Sequence, residues 1–324
     1  MVSARQNFTF VPWEKLPYQQ FLTVREGETR LGEVNVPYSA ASFVILGIEE
    51  SIGPNANLGN SGAENAFEAF CRKFLNMQSN FTFSGNKVGW LGAIRTTRKD
   101  IPQNGDSVGE LDEFVKDVIN LLVLPHQILI VIGGGHNNAY PIIASRSTQC
   151  KSPLNVVNLD AHADYRSIEG RHSGNPFSYA YRDGFLQNYS VFSLHKRYNN
   201  EVTLSALTRD GHFFTFLEDY IDRVRLFEDD VMAQHEALRE ENIPIGIELD
   251  MDAIENMPSS AVSPSGMTFS AARYFVRQMV KAEKCVYLHL PEGAPFTAEE
   301  KNKVGKALSY LVTDFMECHL LSKF

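Results

Sequence analysis

Three short segments of this 324-residue chain combine aspartate and histidine at spacings suited to metal ligation. The first is Asp160-Ala161-His162-Ala163-Asp164. In extended backbone, alternate side chains point the same way. Asp160, His162 and Asp164 are therefore expected to converge on one point, separated only by alanines. Two carboxylates packed together at the end of a buried strand, with no cation, would carry a large desolvation and repulsion cost. The second segment, Asp250-Met251-Asp252-Ala253-Ile254-Glu255, repeats the alternation, with Asp250 and Asp252 on one side. The third, Gly133-Gly134-Gly135-His136-Asn137-Asn138, uses three glycines to turn tightly and present His136. Taken singly, each has an ordinary explanation: a hydrogen-bonded loop histidine, a solvated acidic loop, a surface Asp-x-Asp. Taken together they supply four aspartates and two histidines. One divalent ion rarely needs four carboxylates, whereas two ions sharing bridging aspartates use all six groups. Oxygen-rich ligation with some imidazole and no thiolate favours Mn²⁺ over Zn²⁺. Such a pair can acidify a water held between the ions, making a nucleophile at neutral pH.

Each segment follows a short apolar run that reads as a buried strand: Ile128–Ile132, Asn155–Leu159 and Ile245–Leu249. Phe43–Ile48 and Cys285–Leu290 have the same character, and Ser190–Leu194 and His212–Phe216 are weaker examples. The runs are mostly uninterrupted, as a sheet covered on both faces requires. Between them Glu64–Leu75, Ser107–Leu122, Asp229–Glu240, Ser270–Glu283 and Ala298–Phe315 show apolar spacing near the helical repeat. Thr297 and Glu300 form a capping-box pattern ahead of the last of these. Strand–helix alternation along the whole length predicts an α/β fold with a parallel sheet. In such sheets ligands gather at the carboxyl ends of the strands, where the three polar segments stand. No linker or repeat interrupts the pattern, so residues 1–324 read as one domain.

Composition narrows the function classes. The formal charge of −9 disfavours binding to a phosphate backbone, so no nucleic-acid partner is expected. No apolar run reaches the length of a membrane span, and residues 1–10 lack the pattern of a signal peptide. Cys71, Cys150, Cys285 and Cys318 are widely spaced, which fits free thiols in a reducing cytoplasm. Oligomeric state is left open, a homo-oligomer included.

The ordered set of Gly-Gly-Gly-His136, Asp160-Ala-His162-Ala-Asp164 and Asp250-x-Asp252-x-x-Glu255 resembles the arginase/agmatinase/formimidoylglutamase family, the ureohydrolases. The resemblance runs from about Ile45 to Pro295. It implies the arginase-like three-layer α/β/α fold, a mostly parallel central sheet and two Mn²⁺ per chain. It also implies His136, Asp160, His162, Asp164, Asp250 and Asp252 as metal ligands. His136 and His162 would be terminal ligands of different ions, and two of the aspartates would bridge. Glu292-Gly293-Ala294-Pro295 resembles the family's Glu-x-x-Pro, whose glutamate holds the substrate's amidine or guanidine nitrogens; a carboxylate suits a planar N–H fork. The stretch Ser259–Gly266 is similar to the family's loop under the metals, and Glu255 stands where many relatives carry aspartate.

Family members differ in what holds the far end of the substrate. Arginases usually show Ser-Gly-Asn-x-His-Gly after the Asp-Ala-His-Ala-Asp motif, with the histidine credited with proton shuttling. Here Ser173-Gly174-Asn175-Pro176-Phe177-Ser178 stands instead, preceded by Asp164-Tyr165-Arg166, which is more similar to formimidoylglutamases. Formimidoylglutamate, the small-molecule substrate this implies, carries two carboxylates. Arg166, Arg171 and His172 are cations within reach in sequence, and arginine offers a bidentate fork. Lys196 and Arg197 add charge where arginases tend to have an aspartate. The expectation is metal-assisted hydrolysis of N-formimidoyl-L-glutamate to L-glutamate and formamide, in histidine breakdown. Glu292 would orient the amidinium, Asp164 would relay the proton to the leaving amine, and Arg166 with Asn175 would hold the glutamate part. Two alternatives stand beside it: an arginase- or agmatinase-like guanidino hydrolase, and a metal-binding family member without turnover.

Overall fold

The structure, a computed structural model, describes residues 6–98, 100–282 and 284–322. Its strands in chain order are β1 (Phe8–Pro12), β2 (Phe43–Glu49), β3 (Val88–Thr96), β4 (Ile128–Ile132), β5 (Leu154–Leu159), β6 (Leu186–Leu194), β7 (Phe213–Phe216), β8 (Ile245–Leu249) and β9 (Cys285–Leu290). The helices are α1 (Ile52–Ala56), α2 (Ala66–Phe74), α3 (Gly105–Leu122), α4 (Ala139–Cys150) and α5 (Pro176–Arg182). They continue with α6 (Glu201–Arg209), α7 (Leu217–Ile221), α8 (Phe227–Glu241), α9 (Phe269–Met279) and α10 (Ala298–Leu321).

The strands form one sheet in the order β1-β3-β2-β4-β9-β8-β5-β6-β7. Every pairing is parallel except that of β1 with β3. Alternate residues of the central strands feed two separate cores. Ile128, Ile130 and Ile132 face the side covered by α2, α8, α9 and α10. Leu129 and Val131 face the side covered by α3, α4, α5 and α6. With both faces buried, uninterrupted apolar strands are what the physics requires. This is the three-layer α/β/α architecture expected.

All seven strands read from the sequence are present within a few residues of their predicted bounds. The five predicted helices are present too, and Thr297 with Glu300 makes the reciprocal capping box. The predicted end of one helix, Glu283, lies outside the described residues. Sequence reading missed β1, β3 and several helices. In β3, Gly89 and Gly92 break the apolar run. Gly92 has φ of +139°, and a Cβ there would stand 2.1 Å from the Val11 carbonyl oxygen, so the close approach of β1 requires glycine. Helix α4 escaped because Pro141 to Ser147 are all buried, leaving no polar face to mark a period.

The order places β4, β9, β8 and β5 side by side. These four strands carry His136, Glu292, Asp250 and Asp160 at their carboxyl ends. Sheet topology thus gathers residues up to 156 positions apart, as His136 and Glu292 are.

Candidate metal centre

His136 follows β4 on a turn anchored by a buried acid. Glu50 accepts hydrogen bonds from the Gly135 amide (2.9 Å) and Asn138 Nδ2 (2.7 Å), and also caps Ile52 (2.6 Å). His136 is fully buried, and its Nδ1 lies 3.2 Å from Asp160 Oδ2, 2.9 Å from Asp164 Oδ2 and 3.0 Å from Asp250 Oδ2. These four residues make one potential metal site. Asp160, His162 and Asp252 make a second, with His162 Nδ1 3.0 Å from Asp252 Oδ2 and 3.8 Å from Asp160 Oδ1. All six residues expected as ligands therefore come together. The two histidines belong to different clusters, and Asp160 is the member common to both.

The donor set fits divalent cations. Asp252 Oδ1 is buried without a hydrogen-bond partner. Burial and the neighbouring Asp164 carboxylate push Asp160 up to about 7. Burial, Asp252 and Asp160 push Asp250 well above the usual carboxylate range. Burial alone would lower His136, but Asp160, Asp164, Asp250 and Glu248 outweigh it and hold the imidazole well above its ordinary value. Asp160, Asp250 and the two imidazoles, all raised, hold protons that a hard cation would displace.

Glu292 closes the floor. It accepts a 2.7 Å hydrogen bond from the His136 amide and another from Ser260 Oγ, and burial pushes it up to about 8. Both Asp164 (φ +45°) and Glu292 (φ +65°) occupy the left-handed region, uncommon for residues other than glycine and more so for glutamate than for aspartate. Such strain persists only where surrounding structure enforces it. For Glu292 the enforcers are its own amide on the Gly134 carbonyl (2.9 Å) and its carbonyl on the Ser260 amide (3.1 Å). The loop read as lying under the metals contributes through Ser260. Glu255 is exposed and belongs to neither cluster.

Above the clusters opens a cavity of about 300 Å³ lined by His162, Asp164, Asp250, Asp252, Glu292 and Arg166, among others. Arg166 stands on its rim, 46% exposed, with Nη1 on Asn57 Oδ1 (2.9 Å) and Nη2 on Glu169 (2.7 Å). The other predicted cations are placed elsewhere. Arg171 is buried in an ion pair with Asp112 (2.8 Å), and Lys196 pairs with Asp219 (2.6 Å) outside the cavity lining. Asn175 is fully buried: its Oδ1 accepts from Arg171 and the His172 amide, and its Nδ2 donates to the Gly170 carbonyl. It braces the loop and does not line the cavity. Phe177, where arginases carry the shuttle histidine, packs edge-on against the His136 ring at 5.2 Å.

Sequence reading missed Tyr198 and Asn199. Tyr198 lines the cavity and stacks on His162 at 5.2 Å between ring centres. Asn199 clamps the motif loop through the Ala163 amide (2.8 Å) and Ala161 carbonyl (3.0 Å). Also missed were Asn158 and Glu248, fully buried, each two residues before an aspartate of the clusters. The available signal was a polar residue at that aspartate's own parity inside an apolar strand.

A profile of the arginase family matches residues 41–318. The chain belongs to the arginase family. The formimidoylglutamase of Geobacillus sp. (strain WCH70) is 21% identical over 291 residues, covering 86% of this chain and 84% of that protein. Two solved structures share the fold. One is formimidoylglutamase from Bacillus subtilis (TM-score 0.78, 14% identity, 93% and 95% of the two chains). The other is Trypanosoma cruzi formiminoglutamase with Mn²⁺ (TM-score 0.74, 18% identity, 89% and 98%). As an arginase-family member the chain is a hydrolase of amidine or guanidine groups. No helix among its described residues is long and apolar enough to cross a membrane.

Proposed function

We propose that this arginase-family protein hydrolyses N-formimidoyl-L-glutamate to L-glutamate and formamide, with two Mn²⁺ held by the two clusters. The observation that carries the reading is the placement of Arg166. Its guanidinium stands on the rim of the cavity whose floor is Glu292 and the aspartates. A substrate with an amidine at one end and carboxylates at the other spans that polarity. The relatives named formimidoylglutamase support the same choice.

His136, Asp160, Asp164 and Asp250 would hold one ion, and Asp160, His162 and Asp252 the other. Such a pair, when bound, would supply Lewis-acid chemistry: it would lower the pKa of water at the site and stabilise developing negative charge. The protein's own groups do the rest. Glu292, fixed by the His136 amide and Ser260, accepts N–H bonds from the amidinium and sets the formimidoyl carbon over the clusters. Asp164 lines the cavity and takes the nucleophile's proton, which it delivers to the leaving amine of glutamate. Two contacts hold Arg166 and leave part of its donor fork for a substrate carboxylate. Phe177 beside His136 offers no proton, which leaves Asp164 as the relay.

The test is a panel of N-formimidoyl-L-glutamate, L-arginine and agmatine with Mn²⁺-loaded protein. Glutamate and formamide in equal amounts are expected, with no urea. Urea from arginine or agmatine, with no turnover of the formimidoyl compound, would replace this reading with that of a guanidino hydrolase.

A further inference from the structure

Beneath the His136 cluster lies a buried polar group that the mechanism above does not use. Glu248 is in the middle of β8, between β5 and β9, and is fully buried. An unpaired carboxylate in such a place is strongly disfavoured. Its partners come from the next strand. Tyr287 Oη donates to Glu248 Oε1 at 2.9 Å, and His289 Nδ1 lies 2.7 Å from Oε2. Both partners are on β9, two residues apart and so on one face. The tyrosine fits only because position 246 is glycine: a Cβ there would stand 2.2 Å from the Tyr287 ring. The remaining neighbour of Glu248 Oε2 is His136 Nε2, at 3.4 Å. The other nitrogen of that imidazole, Nδ1, faces the three aspartates of the cluster. Phe177 closes the flank of the ring.

From this arrangement we infer that Glu248 is a positioning residue for the His136 metal site: held by Tyr287 and His289, it accepts the Nε2 proton of His136 and commits Nδ1 to the ion. The inference rests on the metal-centre reading given above and adds a residue to it. A carboxylate behind a ligating imidazole fixes its tautomer, orients its ring and makes it a better donor. Here the orientation is set from within the sheet, by side chains that cannot reach solvent. The His162 site has a different support. Its imidazole is partly exposed and stacks on Tyr198, with no carboxylate of this network near it. Glu248 should therefore act on one ion of the pair and not on the other.

The test is Glu248→Gln, which keeps the shape and an acceptor oxygen but removes the charge. Mn²⁺ binding to the full chain is followed by calorimetry. Occupancy at each site is read from manganese anomalous scattering in crystals grown at limiting Mn²⁺. The expected result is a loss of about 10- to 100-fold in affinity at the His136 site, with the His162 site unchanged. Tyr287→Phe, which removes one brace and no charge, should give a smaller loss at the same site. It also serves as the measurement if Glu248→Gln fails to fold. Equal weakening of both sites, or no change in either variant, would overturn the inference while leaving the metal centre intact. Failure of the unaltered protein to bind Mn²⁺ would overturn the metal-centre reading and this inference with it.

Discussion

The His136 and His162 clusters share Asp160 but are built on opposite principles. His136 is sealed, with an anchored glycine turn above it, Phe177 on its flank and β8 and β9 behind it. His162 retains 32% side-chain exposure and meets the cavity under Tyr198. Asn199, a loop residue, holds the backbone on either side of it. One site is thus an extension of the core and the other an extension of a loop. The core-built site trades adaptability for fixed geometry, since groups locked by packing cannot re-aim. The loop-built site is where an incoming substrate has room.

The shared residue offers the most severe way to break the comparison. Asp160→Ala removes a ligand from both clusters, and activity should fall to background with the loss of both ions, measured as Mn²⁺ content and turnover. Next is the rim. Arg166→Ala should cost about 2–4 kcal/mol, roughly 30- to 1000-fold in kcat/KM, on the formimidoylglutamate reaction, and lysine should rescue only part. A neutral amidine lacking carboxylates should be spared; an equal loss on both substrates would show that Arg166 only braces the loop through Asn57 and Glu169.

Stability separates the two histidines. His136→Ala opens a cavity in the core and should lower metal-free stability by about 1–3 kcal/mol, whereas His162→Ala should cost under about 1 kcal/mol, both by denaturant titration. Equal costs would erase the distinction drawn here. The pH response follows from Asp160, Asp250 and His136, all raised above their ordinary values. Such groups bind more protons folded than unfolded, so metal-free stability should decline as pH rises from 5 to 8. Asp252 and Glu248 are lowered, by His162 and by His289 and His136 against the effect of burial, and their stabilisation is lost only at more acidic pH. Mn²⁺ taken up by the clusters would displace the protons, so the rise in Tm on adding Mn²⁺ should grow over the same window. A Tm gain independent of pH would contradict this. The smallest effect belongs to Lys196, whose ammonium is exposed and paired with Asp219. Lys196→Ala should change kcat/KM by less than about twofold.

The six residues proposed as ligands were legible in the sequence because each stands just past the end of an apolar strand; alternation alone would have put Asp160, His162 and Asp164 on one point, whereas the fold divides them between two clusters. The sequence was sufficient for the layered α/β class, because buried strands and amphipathic helices differ in period. Strand partnership was not legible, since periodicity reports which face is buried and not what buries it. That is why Glu248 went unread inside an apolar run, and only the fold shows Tyr287 and His289 of β9 beside it. For the same reason Arg171, His172 and Lys196 looked equivalent to Arg166 as cations. Asp112 lies 59 residues from Arg171, and Asp219 lies 23 from Lys196. Only the folded chain decides which charge is paired by an acid from a distant segment and which is left on the rim of the cavity.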